Sequence, residues 1–207
     1  MKLDSIIFDL DGTIWDSTSS IIDCWNKTLD KYDEVNNKLT IDDMKGIMGL
    51  TQEEVGKKLF PYLDDAKKAE IMEDCCKREC EHLEQSGAIL YDKVEETLEK
   101  LSKKYNLFIV SNCQCGYIEA FYKYHGLEKY FKDHESSGNT GLNKGENIKL
   151  IIERNNLKAS VYVGDTEGDL KATKVAGIPF VYARYGFGDV EEYDYVIDSF
   201  QDLLMFI

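Results

Sequence analysis

The chain has 207 residues, of which 43% are hydrophobic, enough to bury the core of one large domain or of a domain with an inserted lobe. Its formal net charge of −14 and pI near 4.7 exclude a surface built to neutralise duplex nucleic acid or to sit on an anionic membrane, while leaving room for a small phosphorylated ligand held by a local cation. No apolar run approaches the roughly 20 residues of a membrane span. No basic stretch followed by an apolar segment opens the chain, so a signal peptide is not expected and a cytoplasmic protein is. The six cysteines lack zinc-ligand spacing and read as reduced thiols.

In chain order, "SIIFD" is a short apolar run of the kind buried on both faces of a sheet, and it stops in the acidic stretch Asp9-Leu10-Asp11-Gly12-Thr13. Ile21, Trp25, Leu29 and Tyr32 then recur at helical spacing. Thr40-x-x-Asp43 and Thr51-x-x-Glu54 have the form of capping boxes opening two further helices. A long helix is predicted over 65–84, with Met72, Cys76, Cys80 and Leu83 along one packing stripe. After about residue 90 the rhythm alternates. A helix carrying Val94, Leu98, Leu101 and Tyr105 precedes the strand "NLFIVSN", and a helix over about 115–125 precedes the weaker strand "YFKDHESS". A helix with Ile148, Ile151 and Ile152 inside leads to the strand "SVYVGD". A helix ending at Gly177 then leads to "IPFVYA" and a last short strand, "YDYVIDS". Such alternation specifies an α/β fold, a doubly wound parallel sheet with helices on both faces, here interrupted after its first strand by a helical insert.

Four stretches at strand exits or helix starts carry chemistry. Period-two geometry turns Asp9 and Asp11 to one side, and Gly12 allows a close backbone approach. Ser111-Asn112 offers a hydroxyl and a backbone N–H at a strand tip. Lys144 falls in the first turn of a helix if Asn143 caps it, where the macrodipole disfavours a cation and a partner elsewhere is implied. Asp165 ends a strand and Asp169 follows one helical turn later. Each feature alone is ordinary turn, cap or surface chemistry; their ordered recurrence at strand exits is not. Two carboxylates ~5 Å apart repel by ~3 kcal/mol at an effective dielectric of 20. A divalent cation removes that cost, and an all-oxygen donor set fits Mg²⁺ better than zinc.

Together these stretches resemble the four motifs of the haloacid dehalogenase superfamily, over residues 4–15 and about 90–200, with "FDLDGTIWDS" and "GDTEGDLKATKVAG" most similar to the phosphoglycolate phosphatase group. The resemblance implies a Rossmann-like core over 1–15 and 87–207, and a smaller all-helical cap over 16–86. It also implies a Mg²⁺-dependent phosphatase acting on a small phosphorylated metabolite. Asp9 would be the nucleophile and Asp11 the acid and base. Ser111, Asn112 and Lys144 would hold the phosphoryl oxygens, and Asp9, the Asp11 backbone carbonyl and Asp165 the metal, with Asp169 behind them. Trp15, Ser17, Lys45, Gly49 and Tyr91 are candidate substrate contacts at the hinges and in the insert. A dehalogenase is disfavoured by the presence of Asp11. A sugar phosphomutase is the runner-up, disfavoured because "DDMKGIMGLTQEEV" lacks an arginine and because Gly-Thr follows Asp11. A phospho-accepting signalling domain fits neither the helical insert nor the motif order. The sequence specifies no oligomeric state.

Overall fold

The computed structural model describes residues 3–206; Met1, Lys2 and Ile207, at the ends of the expected core, lie outside the described residues. Strand β1 (Ser5–Phe8) is followed by the two-residue β2 (Trp15–Asp16). Four helices come next: α1 (Thr18–Leu29), α2 (Ile41–Ile47), α3 (Gln52–Leu59) and α4 (Asp65–Ser86). Strand β3 (Ile89–Leu90) pairs antiparallel with β2, so the helical segment leaves and returns through a short ribbon. Alternation then begins, with α5 (Val94–Ser102), β4 (Asn106–Ser111), α6 (Tyr117–His125) and β5 (Phe131–Ser136). After the single-turn α7 (Ser137–Thr140) come α8 (Lys144–Arg154), β6 (Ser160–Gly164) and α9 (Glu167–Ala176). Strands β7 (Phe180–Ala183) and β8 (Tyr195–Ile197) and the short α10 (Leu203–Phe206) complete the chain.

The main sheet has the order β5-β4-β1-β6-β7-β8, with every neighbouring pair parallel. Its central strands read as unbroken apolar runs because both faces are covered. Ile6 and Phe8 join one hydrophobic cluster and Ile7 the other; Leu107 and Ile109 divide from Phe108 and Val110 in the same way, as do Val161 and Val163 from Tyr162. The larger cluster runs on without a break into the helical insert, through Trp25, Met44 and Ile71. Helix α4 lies against both α1 and α6 and so ties the insert to the sheet side.

Both predicted capping boxes in the insert are formed, at Thr40/Asp43 and Thr51/Glu54. Helix α1 stops at Leu29, short of the Tyr32 that its spacing predicted. The polar run that follows, "DKYDEVNN", favours turns over helix, and tight bonds from Lys31 N–H to Thr28 O and from Tyr32 N–H to Leu29 O close the end. The topological switch lies at β1, whose neighbours β4 and β6 lead the chain outward in opposite directions. The crevice there opens at the carboxyl ends of the strands, where a doubly wound sheet takes its ligand.

Candidate active site

Three strand exits meet at that crevice. Asp9 follows β1 and extends its pairing, the Asp9 N–H donating to Val163 O at 2.8 Å. Ser111 is the last residue of β4, and Asp165 follows β6. Helix α8 contributes Lys144 as its first residue, with Asn143 as N-cap in a full capping box with Glu146. The misplaced cation has its partners: Lys144 Nζ lies 3.0 Å from Asp9 Oδ2 and 2.6 Å from Asp169 Oδ1, all three side chains being buried.

Asp9, Asp165 and Asp169 each offer a carboxylate oxygen within 4.8 Å of the others. Three carboxylates against one ammonium leave two uncompensated negative charges in a buried space. Burial pushes Asp9 up to about 7, against the pull of Lys144 and with further upward pressure from Asp169. Burial, then Asp169 and Asp9, hold Asp165 well above the carboxylate range. Burial alone would depress the Lys144 ammonium, but Asp169 and Asp9 outweigh it and raise it. The oxygens are unequally occupied. Asp169 Oδ2 accepts from Asp165 N, Thr166 N and Thr166 Oγ1, and its Oδ1 accepts from Lys144, so this carboxylate is fully used in positioning its neighbours. Asp9 Oδ1, by contrast, is buried with no hydrogen-bond partner. An orphaned carboxylate oxygen is costly unless a cation completes it. With an all-oxygen donor set and, when its carboxyls are ionised, a net double negative charge, the site fits a hard divalent cation.

Asp11 is half-buried, and its Oδ1 accepts from Ser17 Oγ at 2.6 Å and Tyr117 OH at 2.9 Å. Burial raises this carboxyl to about 6 although both hydroxyls pull it down. Gly12 has φ +77°, and a Cβ there would lie 2.1 Å from Asp165 Oδ2, so glycine is required for the two segments to meet. Asn112 uses its side chain to join the insert to the sheet side: its Nδ2 donates to Gly49 O at 2.8 Å, and its Oδ1 accepts from Ser137.

Between this crevice and the insert lies a cleft of about 70 Å³, bounded by Asp11, Ser111, Gly49, Trp25, Gln114 and Glu79 among others. Of the residues singled out in the insert and hinges, Gly49 faces it and Ser17 holds Asp11. Trp15 and Lys45 are not among its lining residues. Trp15 is fully buried behind Asp11 and Tyr117, edge-on to Phe121 at 5.1 Å and Tyr117 at 5.6 Å, and does not itself line the cleft. Lys45 lies exposed in the last turn of α2, where a lysine stays solvated. Tyr91 packs against Tyr185 at 4.8 Å.

Sequence reasoning missed Glu79 and Tyr117 and left the role of the Tyr185–Gly188 loop open. Glu79 points from α4 into the cleft, buried to 4% exposure, with Oε2 accepting from Gln114 Nε2 at 2.8 Å. A glutamate on the stripe of Met72, Cys76 and Leu83 is the signal that could have found it. Tyr117 gave no signal beyond its place on a helical face. The "YGFG" loop after β7 steadies Asp165: the Phe187 N–H donates to Asp165 Oδ2 at 2.7 Å, and a Cβ at Gly186 would lie 2.3 Å from the Asp165 Cβ. Near the site, burial and then Asp11 push the Cys113 thiol well up, so its reactive thiolate is suppressed.

The sequence profile of haloacid dehalogenase-like hydrolases matches residues 6–183. A pyrophosphatase, PpaX, from Bacillus mycoides is 27% identical over 219 aligned positions, covering 99% of this chain and 96% of that protein. A phosphoglycolate phosphatase from Photobacterium profundum is 25% identical, covering 96% and 93%. Among solved structures, a haloacid dehalogenase-like family hydrolase from Streptococcus pneumoniae superposes with a TM-score of 0.85 at 21% identity, covering 99% of this chain and 98% of that one. CbbY from Rhodobacter sphaeroides, solved in complex with phosphate, gives 0.82 at 18% identity, covering 98% and 96%.

Proposed function

Because the chain belongs to the haloacid dehalogenase-like hydrolase family and is a phosphatase of that family, we propose that it hydrolyses a small phosphate monoester in a Mg²⁺-dependent reaction that passes through a phosphorylated Asp9. The observation that carries this reading is Asp9 itself. It is buried to 1% exposure, one oxygen is bound to Lys144, and the other is left without a partner.

Asp9 attacks phosphorus, an oxygen–phosphorus bond forms, and the bond to the leaving oxygen breaks. Asp11 gives that oxygen its proton. The hydroxyls of Ser17 and Tyr117 converge on Asp11 Oδ1, so the proton to be transferred sits on Oδ2. A carboxyl raised to about 6 is suited to giving up a proton and taking one back near neutrality. In the second half, water attacks phosphorus, surrenders a proton to Asp11 and releases phosphate, restoring the Asp9 carboxylate. Ser111 Oγ, the Asn112 backbone N–H and Lys144 Nζ bind the phosphoryl oxygens. Asp9, Asp165 and the Asp11 backbone carbonyl would hold the ion, with Asp169 positioning Lys144 and the Asp165–Thr166 backbone behind them. When bound, Mg²⁺ would supply positive charge to the phosphoryl oxygens and relieve repulsion among the carboxylates. The segment 16–86 serves as a cap over a core of 1–15 and 87–207, excluding water as it closes. Its substrate would be a small metabolite of the cytoplasm; among the described residues, no helix is long and apolar enough to cross a membrane.

With Mg²⁺ and p-nitrophenyl phosphate the protein is expected to release phosphate over many turnovers. Asp9→Asn is expected to lose at least ~10³-fold in kcat while keeping a cooperative melt. One phosphate per chain, or parental activity in Asp9→Asn, would contradict the proposal.

A further inference from the structure

We propose that the leaving group of the natural substrate is small, carries no negative charge and donates a hydrogen bond to Glu79. The inference rests on the phosphatase reading above and assigns its substrate class. The cleft beside Asp11 and Ser111 is walled on the insert side by apolar groups, including Ile21, Trp25, Ile47 and Met72. No lysine, arginine or histidine is among its lining residues. Its buried carboxyl on that side belongs to Glu79, which forms no ion pair among the described residues.

The donors in the cleft are already engaged. Gln114 Nε2 is given to Glu79 at 2.8 Å and lies 3.7 Å from Cys80 Sγ, and Gln52 Nε2 faces Cys76 Sγ at 3.3 Å. The indole of Trp25 approaches the Glu79 carboxyl, although its Nε1 closes no hydrogen bond of good geometry. Lys144 is committed to Asp9 and Asp169, and Lys45 is out in solvent. A second anionic group entering here would be desolvated with no counter-charge and set beside a carboxyl. A hydroxyl would find in Glu79 the acceptor it needs, and an ammonium would draw off the proton that burial holds on this carboxyl and so find a charge partner. At roughly 10–15 Å³ for each water-sized group, a cleft of about 70 Å³ takes only a few heavy atoms. The names of the relatives, phosphoglycolate phosphatase and pyrophosphatase, imply leaving groups that bear negative charge. This cleft supplies no counter-charge for either.

The test compares kcat/KM, in Mg²⁺, for 2-hydroxyethyl phosphate and 2-aminoethyl phosphate with that for phosphoglycolate and pyrophosphate, using p-nitrophenyl phosphate as the reference ester. At least one of the two donor-bearing esters is expected to exceed both anionic substrates by about 100-fold or more. Glu79→Gln is expected to narrow that ratio by about tenfold, mainly through KM. Equal or better use of phosphoglycolate or pyrophosphate overturns the inference, as does failure to cleave either donor-bearing ester while p-nitrophenyl phosphate is cleaved. A ratio unchanged in a folded Glu79→Gln variant overturns the role of Glu79; if that variant does not fold, the ratio in the unmodified protein decides. Phosphate release from none of the compounds, the reference ester included, would instead overturn the phosphatase reading beneath it.

Discussion

Glu79 is a carboxyl with only 4% of its surface exposed, and its protonation is coupled to folding. Burial, reinforced by the nearby charge of Asp11, raises it to about 8, against an ordinary value of 4.5, while Gln114 pulls the other way. The folded state therefore binds this proton more tightly than the unfolded chain. The stability it contributes is fully present below about 4.5 and is lost as pH rises through about 8. Glu79→Gln removes that slope. Its unfolding free energy relative to the parent is expected to improve by roughly 2–4 kcal/mol between about pH 5 and about pH 9, read from urea melts. Parallel pH profiles for the two proteins would contradict the buried-proton account. At this scale the sequence was informative wherever a residue type conflicted with its place. Asp9 and Asp11 at the end of an apolar run, and Lys144 at the wrong end of a helix dipole, are such conflicts. Glu79 on the apolar stripe of α4 is another, though it is visible only once that stripe is drawn residue by residue. Tyr117 and Gly186 break no local rule. Their roles come from what folds against them, so their own surroundings in the chain do not give those roles.

Among the secondary-structure elements, the N-terminal cap of α8 has a second duty. The Asn143 side chain accepts from the Glu146 N–H at 3.0 Å, and this fixes the turn in which Lys144 reaches back to Asp9 and Asp169. The cap at Thr40 is similar in form, accepting from the Asp43 N–H at 3.2 Å, but opens α2 of the insert at an exposed first turn. Asn143→Ala and Thr40→Ala are each expected to cost about 1 kcal/mol in a denaturant melt. Only Asn143→Ala should also lower kcat, by about tenfold, because it loosens the positioning of Lys144, the proposed phosphate ligand. Equal kcat values in the two variants would show that the α8 cap is structural only. Caps of this kind are local, with donor and acceptor three residues apart, and so they can be read directly from the chain. The β2–β3 ribbon cannot: two residues on each side show no period, and the pairing joins positions separated by the whole insert. The end of α1 fell short of its apolar spacing because Tyr32 packs from a turn and keeps its hydrophobic contact without helical backbone.

For the whole molecule, alternation of strand and helix after residue 90 made the parallel sheet legible, since parallel neighbours require crossovers. The strand order was not legible. It depends on which partner each edge finds, and the placement of β1 between β4 and β6 brings Asp9, Ser111 and Asp165 to one crevice. The size and polarity of the cleft above them were equally hidden, because they depend on how the insert packs against the sheet side through α4 and α6. The central claim is that the crevice uses Asp9 to form a bond to phosphorus. Asp11→Asn should slow release of that phosphoryl group by removing the base that activates water. The most direct measurement is therefore to mix this variant with substrate and Mg²⁺, quench with acid, reduce with borohydride and map the peptides. The account predicts an acyl phosphate at Asp9, seen as reduction of that carboxyl to an alcohol; an unreduced Asp9 with the modification at another residue would contradict it.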